Sequence, residues 1–530
     1  MELDTAAPEV APASPDRSLD QGQPAPAPEV EAAPPDPADA AVDAAYAADR
    51  LGEGVPTDVL DRALVARAEM AAQYPGQDPR AVTAAVQEIT ERLDSRFTNP
   101  VTHNDLEQIQ QTVEGLSPAE ATRVFERLTD DQLREWGEQL HDVNLPGLGG
   151  FDRDERVALY GVLAERLDGA QLARFADALD TPPTGADGQL LGAAIAEHAP
   201  AAVRIGFVRE ASDLVEQDPE AAFAVAETLG GLRGVSLDGA LRTLSPEELR
   251  AVVDASVETH THTAVTMAGG HITVSHDADT FGRLAEALAT SQDAGRKAIV
   301  VSEAVEQLRE VETRGNLGMS VMRGDSPEVL RDGLTSILES DVGGVVEALE
   351  QGVDREGRAL TGYFRSMVAD DRTEEVGRLL VDLGTDGGTR TSAEWATEQV
   401  PGDQDGALYY ANAQTLGYAV GAVGAAVDEI TGNARAQAET LKNIFGSTLG
   451  VAGGAHPAAG APAAILTGLG NEVINATVER HAAGHRDLKA TLRDLAFPQV
   501  EGADGVRRPY NGGAETDYDA AALRVIDANR

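Results

Sequence analysis

The chain has 530 residues, no cysteine and a formal net charge of −47, since 89 acidic residues outnumber 42 lysines and arginines. The missing cysteines exclude disulfides, thiolate zinc sites and cysteine nucleophiles. The negative charge argues against nucleic-acid binding, which depends on cationic side chains that neutralise phosphates. Aromatic residues make up only 4% of the chain, so Leu, Val and Ala must fill the cores. That composition favours close helix packing and an all-α fold.

The first 40 residues are rich in proline, alanine and acids. Nine prolines lie between Pro8 and Pro37. Proline interrupts helices, and the segment has little apolar surface to bury, so we expect a disordered Pro/Ala-rich acidic tail over residues 1–40. The N-terminus also lacks the basic and apolar regions of a secretory signal peptide, so the sequence does not encode export by the general secretory route.

Helix-start signals and a recurring spacing dominate the middle of the chain. Ser117 and Ser245 are each followed by proline and acids, the pattern of a capped helix N-terminus. The tripeptide Glu-Arg-Leu that ends at Leu128 recurs at Leu167, 39 residues later. A period of this size is typical of one helical hairpin per unit, so the sequence predicts an irregular array of stacked helical hairpins.

One stretch of the array departs from the helical pattern. Residues 260–277 are rich in Thr and Val, and they contain the pair Gly269-Gly270. This pattern predicts a small β-hairpin insertion that turns at the two glycines. With that turn, His262 faces Asp277 and His260 faces Asp279.

Two imidazoles and two carboxylates in this arrangement could bind a divalent metal. A solvated polar face of a surface hairpin is the alternative interpretation. The segment from Asp382 to Gly387 begins like a calcium loop, but Ala393 occupies the closing position, so we interpret it as an acidic turn. The predicted metal ligands are His260, His262, Asp277 and Asp279.

Small residues crowd two nearly uncharged segments, 412–427 and 443–471. The second runs for 29 residues without Lys, Arg, Asp or Glu, which is long enough to cross a bilayer. Its prolines and glycines favour instead a buried helical hairpin, because small residues let helix backbones approach closely. The glycines predicted to serve in membrane or helix packing are Gly417, Gly421, Gly424, Gly446, Gly450, Gly453 and Gly468.

The last quarter of the chain carries a resemblance. The stretches LGYAVGAVGAAVDEI and AETLKNIFG, an Ala/Gly/Pro run and the ending GGAETDYDAAALRVIDANR resemble the helical region of bacterial secreted effector and polymorphic toxin proteins. In that family such regions are delivery or packing modules that precede a separate toxin domain, and we expect no such domain within the sequence up to Arg530. The resemblance implies a protein of the bacterial cytoplasm or one exported by a specialised secretion system.

The leading hypothesis is a non-catalytic helical scaffold or delivery module of a secreted effector, which acts through protein–protein contacts and needs no cofactor. One alternative is a membrane-active, pore-forming type of protein that inserts helices from 412–476. Another is a metal-dependent enzyme that uses the cluster at 260–279. The predicted organisation is a tail (1–40), N-terminal helices (41–100), the hairpin array (101–400), a Gly/Ala-rich helical hairpin domain (407–498) and a C-terminal extension with a short helix (499–530).

Overall fold

The fold is known from a computed structural model, and it is all-α, as the composition predicted. The predicted tail and Gly468 lie outside the residues that the structure describes. Those residues are 79–93, 101–141, 150–179, 187–266, 269–314, 326–384, 395–401, 408–454, 471–496, 499–501, 507–509 and 511–530.

The described residues form 22 α-helices and three two-stranded sheets. The first half comprises α1 (Pro79–Leu93), α2 (His103–Glu114), α3 (Pro118–Arg127), α4 (Asp130–His141), α5 (Arg153–Arg166), α6 (Gly169–Ala178), α7 (Asp187–His198), α8 (Ala201–Ala211), α9 (Pro219–Gly230), α10 (Gly234–Leu241), α11 (Pro246–Ala255), β1 (Glu258–Thr266) and β2 (Gly269–Asp277). The second half comprises α12 (Asp279–Leu288), α13 (Ala294–Arg314), α14 (Ser326–Ser340), α15 (Val342–Ala348), a π-helical turn (Leu349–Val353), α16 (Arg358–Ala369), α17 (Thr373–Gly384), β3 (Val400–Pro401), β4 (Leu408–Tyr409), α18 (Ala411–Ile430), α19 (Ala434–Gly454), α20 (Asn471–Ala482), α21 (Leu488–Ala496), β5 (Gln499–Glu501), β6 (Arg507–Pro509) and α22 (Gly512–Ala528).

Local capping chemistry sets the helix starts that the sequence predicted. Ser117 caps α3 and Ser245 caps α11, each in a capping box with a glutamate three residues later and a proline in the first turn. The serine hydroxyl and the glutamate carboxylate satisfy backbone N–H groups that the helix itself leaves unpaired. These helix starts are therefore confirmed.

The helices from α4 to α9 pack in a repeat-like arrangement in which a helix contacts the one two places along the chain. Contacts link α4 to α6 and α6 to α8 in one row, and α5 to α7 and α7 to α9 in another. The 39-residue spacing has a structural counterpart, since Leu128 ends α3 and Leu167 ends α5, both as buried C-caps. Phe175 of α6 sits in this core with its ring 5.4 Å from Trp136 and 6.2 Å from Tyr160.

The strands β1 and β2 pair antiparallel, but not in the predicted register. Val265 lies opposite Gly270 and Thr266 opposite Gly269, so the two glycines pair within β2 and the chain reverses before them. The predicted turn at Gly269-Gly270 is therefore wrong. Moving the turn towards the N-terminus shifts every partner along β2, because each residue of an antiparallel pair has a fixed position opposite.

The C-terminal region is built around α18, whose small residues are almost all buried. α22 packs along it over most of its length. A Cβ on Gly417 would overlap the Tyr518 carbonyl, and a Cβ on Gly421 would lie 2.8 Å from the Ala522 carbonyl oxygen. With 17 residues, α22 is longer than the short helix predicted for the extension, and it forms part of this core.

The other predicted packing glycines differ in their surroundings. Gly424 faces the side chains of Leu492 and Ile526, so it belongs to the same close packing. Gly446, in contrast, has open space where a Cβ would point. Gly450 and Gly453 lie within α19. Among the described residues, no helix combines the length and the apolarity needed to cross a bilayer.

The packing at Gly417 predicts a large cost for a single methyl group. We expect Gly417→Ala to lower the free energy of unfolding by about 1–3 kcal/mol, because the methyl group must displace the backbone of α22. Chemical denaturation monitored by circular dichroism measures the change.

Gly446→Ala is the matched control for this prediction. It adds the same methyl group in open space within a helix, so stability should stay unchanged or rise by about 0.5–1 kcal/mol. Equal effects of the two substitutions would contradict close packing at Gly417.

Candidate functional site: an acidic cleft

A cleft of about 640 Å³ opens where the middle of the chain meets α18. Its walls come from the end of α14, the start of α15, the end of α17, the segment after Trp395 and the first turns of α18. These parts are distant in sequence, so only the fold brings them together.

Acidic side chains predominate among the described polar residues that line the cleft. No lysine or arginine lies among the described residues that line it. Arg378 reaches Glu339 from the side, at 3.3 Å. The carboxylates that line the cleft are Glu339, Asp341, Glu347, Asp382 and Glu398.

Burial and a neighbouring carboxylate both act on Asp382. Burial raises the pKa of its carboxyl group, and the neighbouring carboxylate of Glu339 raises it further, while Arg378 lowers it. Removing the negative charge of Asp382 is thus favourable in the folded protein. A bound cation would relieve the same repulsion, as expected at a site that binds positive charge.

A buried lysine fixes the floor of the cleft between α14 and α15. The ammonium group of Lys297 donates a hydrogen bond to the Ser340 hydroxyl oxygen at 2.9 Å, and that hydroxyl donates to the Ile337 carbonyl at 2.6 Å. Burial lowers the pKa of Lys297, whereas the carboxylates of Asp341, Asp238 and Asp293 raise it. Lys297 is 1% exposed, so it holds the wall in place from inside the protein.

Two further contacts shape the cleft. The Asp341 carboxylate accepts a hydrogen bond from the Gly344 N–H at 3.1 Å and so caps α15. The Asn412 side chain donates to the Trp395 carbonyl at 2.8 Å, which ties the tryptophan to α18. Trp395 is only 6% exposed, so its indole is part of the packed wall behind the cleft.

The predicted metal ligands are not paired as the sequence suggested. His262 lies opposite Thr273 instead of Asp277, and His260 lies opposite Ser275. Asp279 is not part of the strand, because α12 begins at this residue. Among the side chains that the structure describes, which do not include those of β1 and β2, no group of three or more His, Asp or Glu could hold a metal ion. The pairing expected for His260 and His262 is wrong, and the metal site itself stays a prediction.

Sequence analysis missed the cleft. The sequence predicts an acidic turn that starts at Asp382, whereas Asp382 lies inside α17 near its end. The lining carboxylates come from separate helices, and an acidic residue on a helix is normally a solvated surface residue. No spacing in the sequence distinguishes these five from the other acids of the chain.

Comparisons with known proteins are sparse. No family model matches the chain, and no curated protein matches it. A solved structure described as a circular tandem repeat protein with novel repeat topology and enhanced subunit contact surfaces is 14% identical, with 93% of this chain and 95% of that chain covered. Its TM-score of 0.19 is too low for a structural argument.

The raised pKa of Asp382 predicts that this residue destabilises the free protein at neutral pH. A carboxyl group whose pKa is raised by folding costs stability above that pKa and nothing below its unfolded value. Asp382→Asn should therefore raise the free energy of unfolding at pH 7. The gain should vanish near pH 4, about the ordinary Asp pKa.

Asp131→Asn is the control, since the Asp131 side chain is 93% exposed. Denaturation curves across the pH range compare the two variants with the parent. A loss of stability at pH 7 in Asp382→Asn would contradict the proposed repulsion.

Proposed function

We propose that the protein is a helical scaffold that acts through protein–protein contacts and binds a basic segment of a partner in the acidic cleft. The observation that carries the proposal is the convergence of five carboxylates on one cleft, where the described lining residues include no lysine or arginine. Lysine and arginine side chains are the natural complement of such a surface, since each forms charge-assisted hydrogen bonds with carboxylates.

The charge of the whole chain supports the same partner chemistry. A net charge of −47 attracts basic molecules over distances beyond direct contact and raises their rate of encounter. The cleft then supplies the specific contacts, with Asp382 half-buried and Trp395 in its wall.

Stacked helical hairpins are compatible with a scaffold function. We infer an array of helical hairpins that is joined to a Gly/Ala-rich helical bundle. Stacked hairpins present extended surfaces on which partners bind. The resemblance of the C-terminal quarter to secreted effector regions extends the proposal to a delivery role, in the bacterial cytoplasm or after specialised secretion.

Binding of a short oligo-arginine peptide to the full chain, measured by fluorescence anisotropy, tests the proposal. We expect saturable binding at physiological salt. The double variant Asp382→Asn/Glu398→Gln should weaken it about tenfold, because two charge-assisted contacts are lost.

The control is Asp131→Asn/Glu138→Gln, which removes the same charge from the exposed surface of α4. It should leave the affinity nearly unchanged. Equal weakening by both double variants would mean that the peptide senses only the overall charge and would refute binding in the cleft.

A further inference from the structure

A second cavity is lined by more arginines than acidic residues. It encloses about 310 Å³ between α13, α16 and the residues that follow α22. Four arginines line it, together with two glutamates, in a chain where acids outnumber basic residues about two to one. The four are Arg309, Arg358, Arg365 and Arg530.

Two of these arginines are held by carboxylates. Arg365 contacts Glu429 at 3.0 Å and Glu312 at 3.6 Å. Arg530 lies 3.5 Å from Asp428. Arg365, at 21% exposure and with two carboxylate partners, is held in position, and both arginines have part of their charge neutralised by these carboxylates.

The other two arginines, Arg309 and Arg358, can bind an anion in the cavity. Within the part of the chain that the structure describes, Arg309 forms no ion pair. Among the described residues, Arg358 forms an ion pair with Glu356, and both side chains are more than half exposed, at 65% and 53%; its charge also acts on Asp354. An exposed pair of this kind contributes little, so an anion in the cavity can compete for Arg358.

A hydroxyl group without a partner lies between these arginines. Thr361 is 3% exposed, and its Oγ1 has no hydrogen-bond partner among the described residues. It lies three residues after Arg358 and four before Arg365, which places all three on one face of α16. A buried hydroxyl without a partner is costly, and a ligand oxygen could satisfy it.

Gly362 brings the two helices together at this point. A Cβ on Gly362 would lie 2.7 Å from Cγ1 of Val305, so α16 and α13 approach closely there. Val305 precedes Arg309 by one helical turn, and the close approach brings Arg309 to the same cavity as Arg358.

We propose that this cavity binds the phosphate group of a small molecule, with Arg309 and Arg358 as its ligands and the Thr361 hydroxyl as a further donor. Guanidinium groups match the geometry of phosphate oxygens and bind them with paired hydrogen bonds. The site is separate from the acidic cleft and does not depend on the scaffold proposal.

Isothermal titration of the full chain with inorganic phosphate tests the site, with chloride at equal ionic strength as the reference. We expect saturable binding that Arg309→Gln weakens about tenfold. Arg134→Gln changes an exposed arginine on α4 and should bind like the parent. Absence of saturable binding, or equal binding after Arg309→Gln, would overturn the proposal.

Thr361→Val provides a second test that does not rely on charge. It removes the buried hydroxyl that lacks a partner, so the ligand-free variant should melt at the same temperature as the parent or higher. Its affinity for phosphate should nevertheless fall. A lower melting temperature with unchanged phosphate affinity would show that the hydroxyl serves only the fold and would overturn its role as a ligand.

Discussion

The contact between α18 and α22 is the constraint on which the C-terminal half of the molecule depends. At Gly417 and Gly421 the two helix backbones approach so closely that no side chain fits between them. Dispersion contacts between backbones and small side chains, accumulated over several turns, stabilise this approach. The surface of α18 is apolar and must be buried away from water. α22 of the same chain buries it.

The position of α18 determines the geometry of the acidic cleft as well as the packing of the core. Its first turns provide Asn412 and Thr415 to the acidic cleft. Further along, the Tyr418 hydroxyl donates to the Asp354 carbonyl at 2.8 Å, which ties α18 to the turn before α16. From the other side, Arg524 of α22 contacts the buried Glu350 at 2.8 Å. A shift of α18, or of α22, which packs along it, would therefore displace the cleft residues Asn412 and Thr415.

Sequence predicted those features that depend on neighbouring residues. The capping box at Ser117 is complete within four residues, so its chemistry is visible without a fold. The register of the hairpin was not visible in this way, because Gly269 and Gly270 satisfy a turn pattern yet pair with β1. The spacing of Gly417 and Gly421 predicted close packing but not its partner, since the residues of α22 that they contact, Tyr518 and Ala522, lie slightly more than 100 residues further along the chain. The cleft was unpredictable for the same reason.

Native-state hydrogen exchange along α18 tests the central claim most directly. If the glycine face is covered by α22, amides near Gly417 and Gly421 should exchange only through global unfolding, with the same opening free energy as amides of α22. Exchange of these α18 amides through a local opening of much lower free energy, while the rest of the core stays protected, would contradict the account.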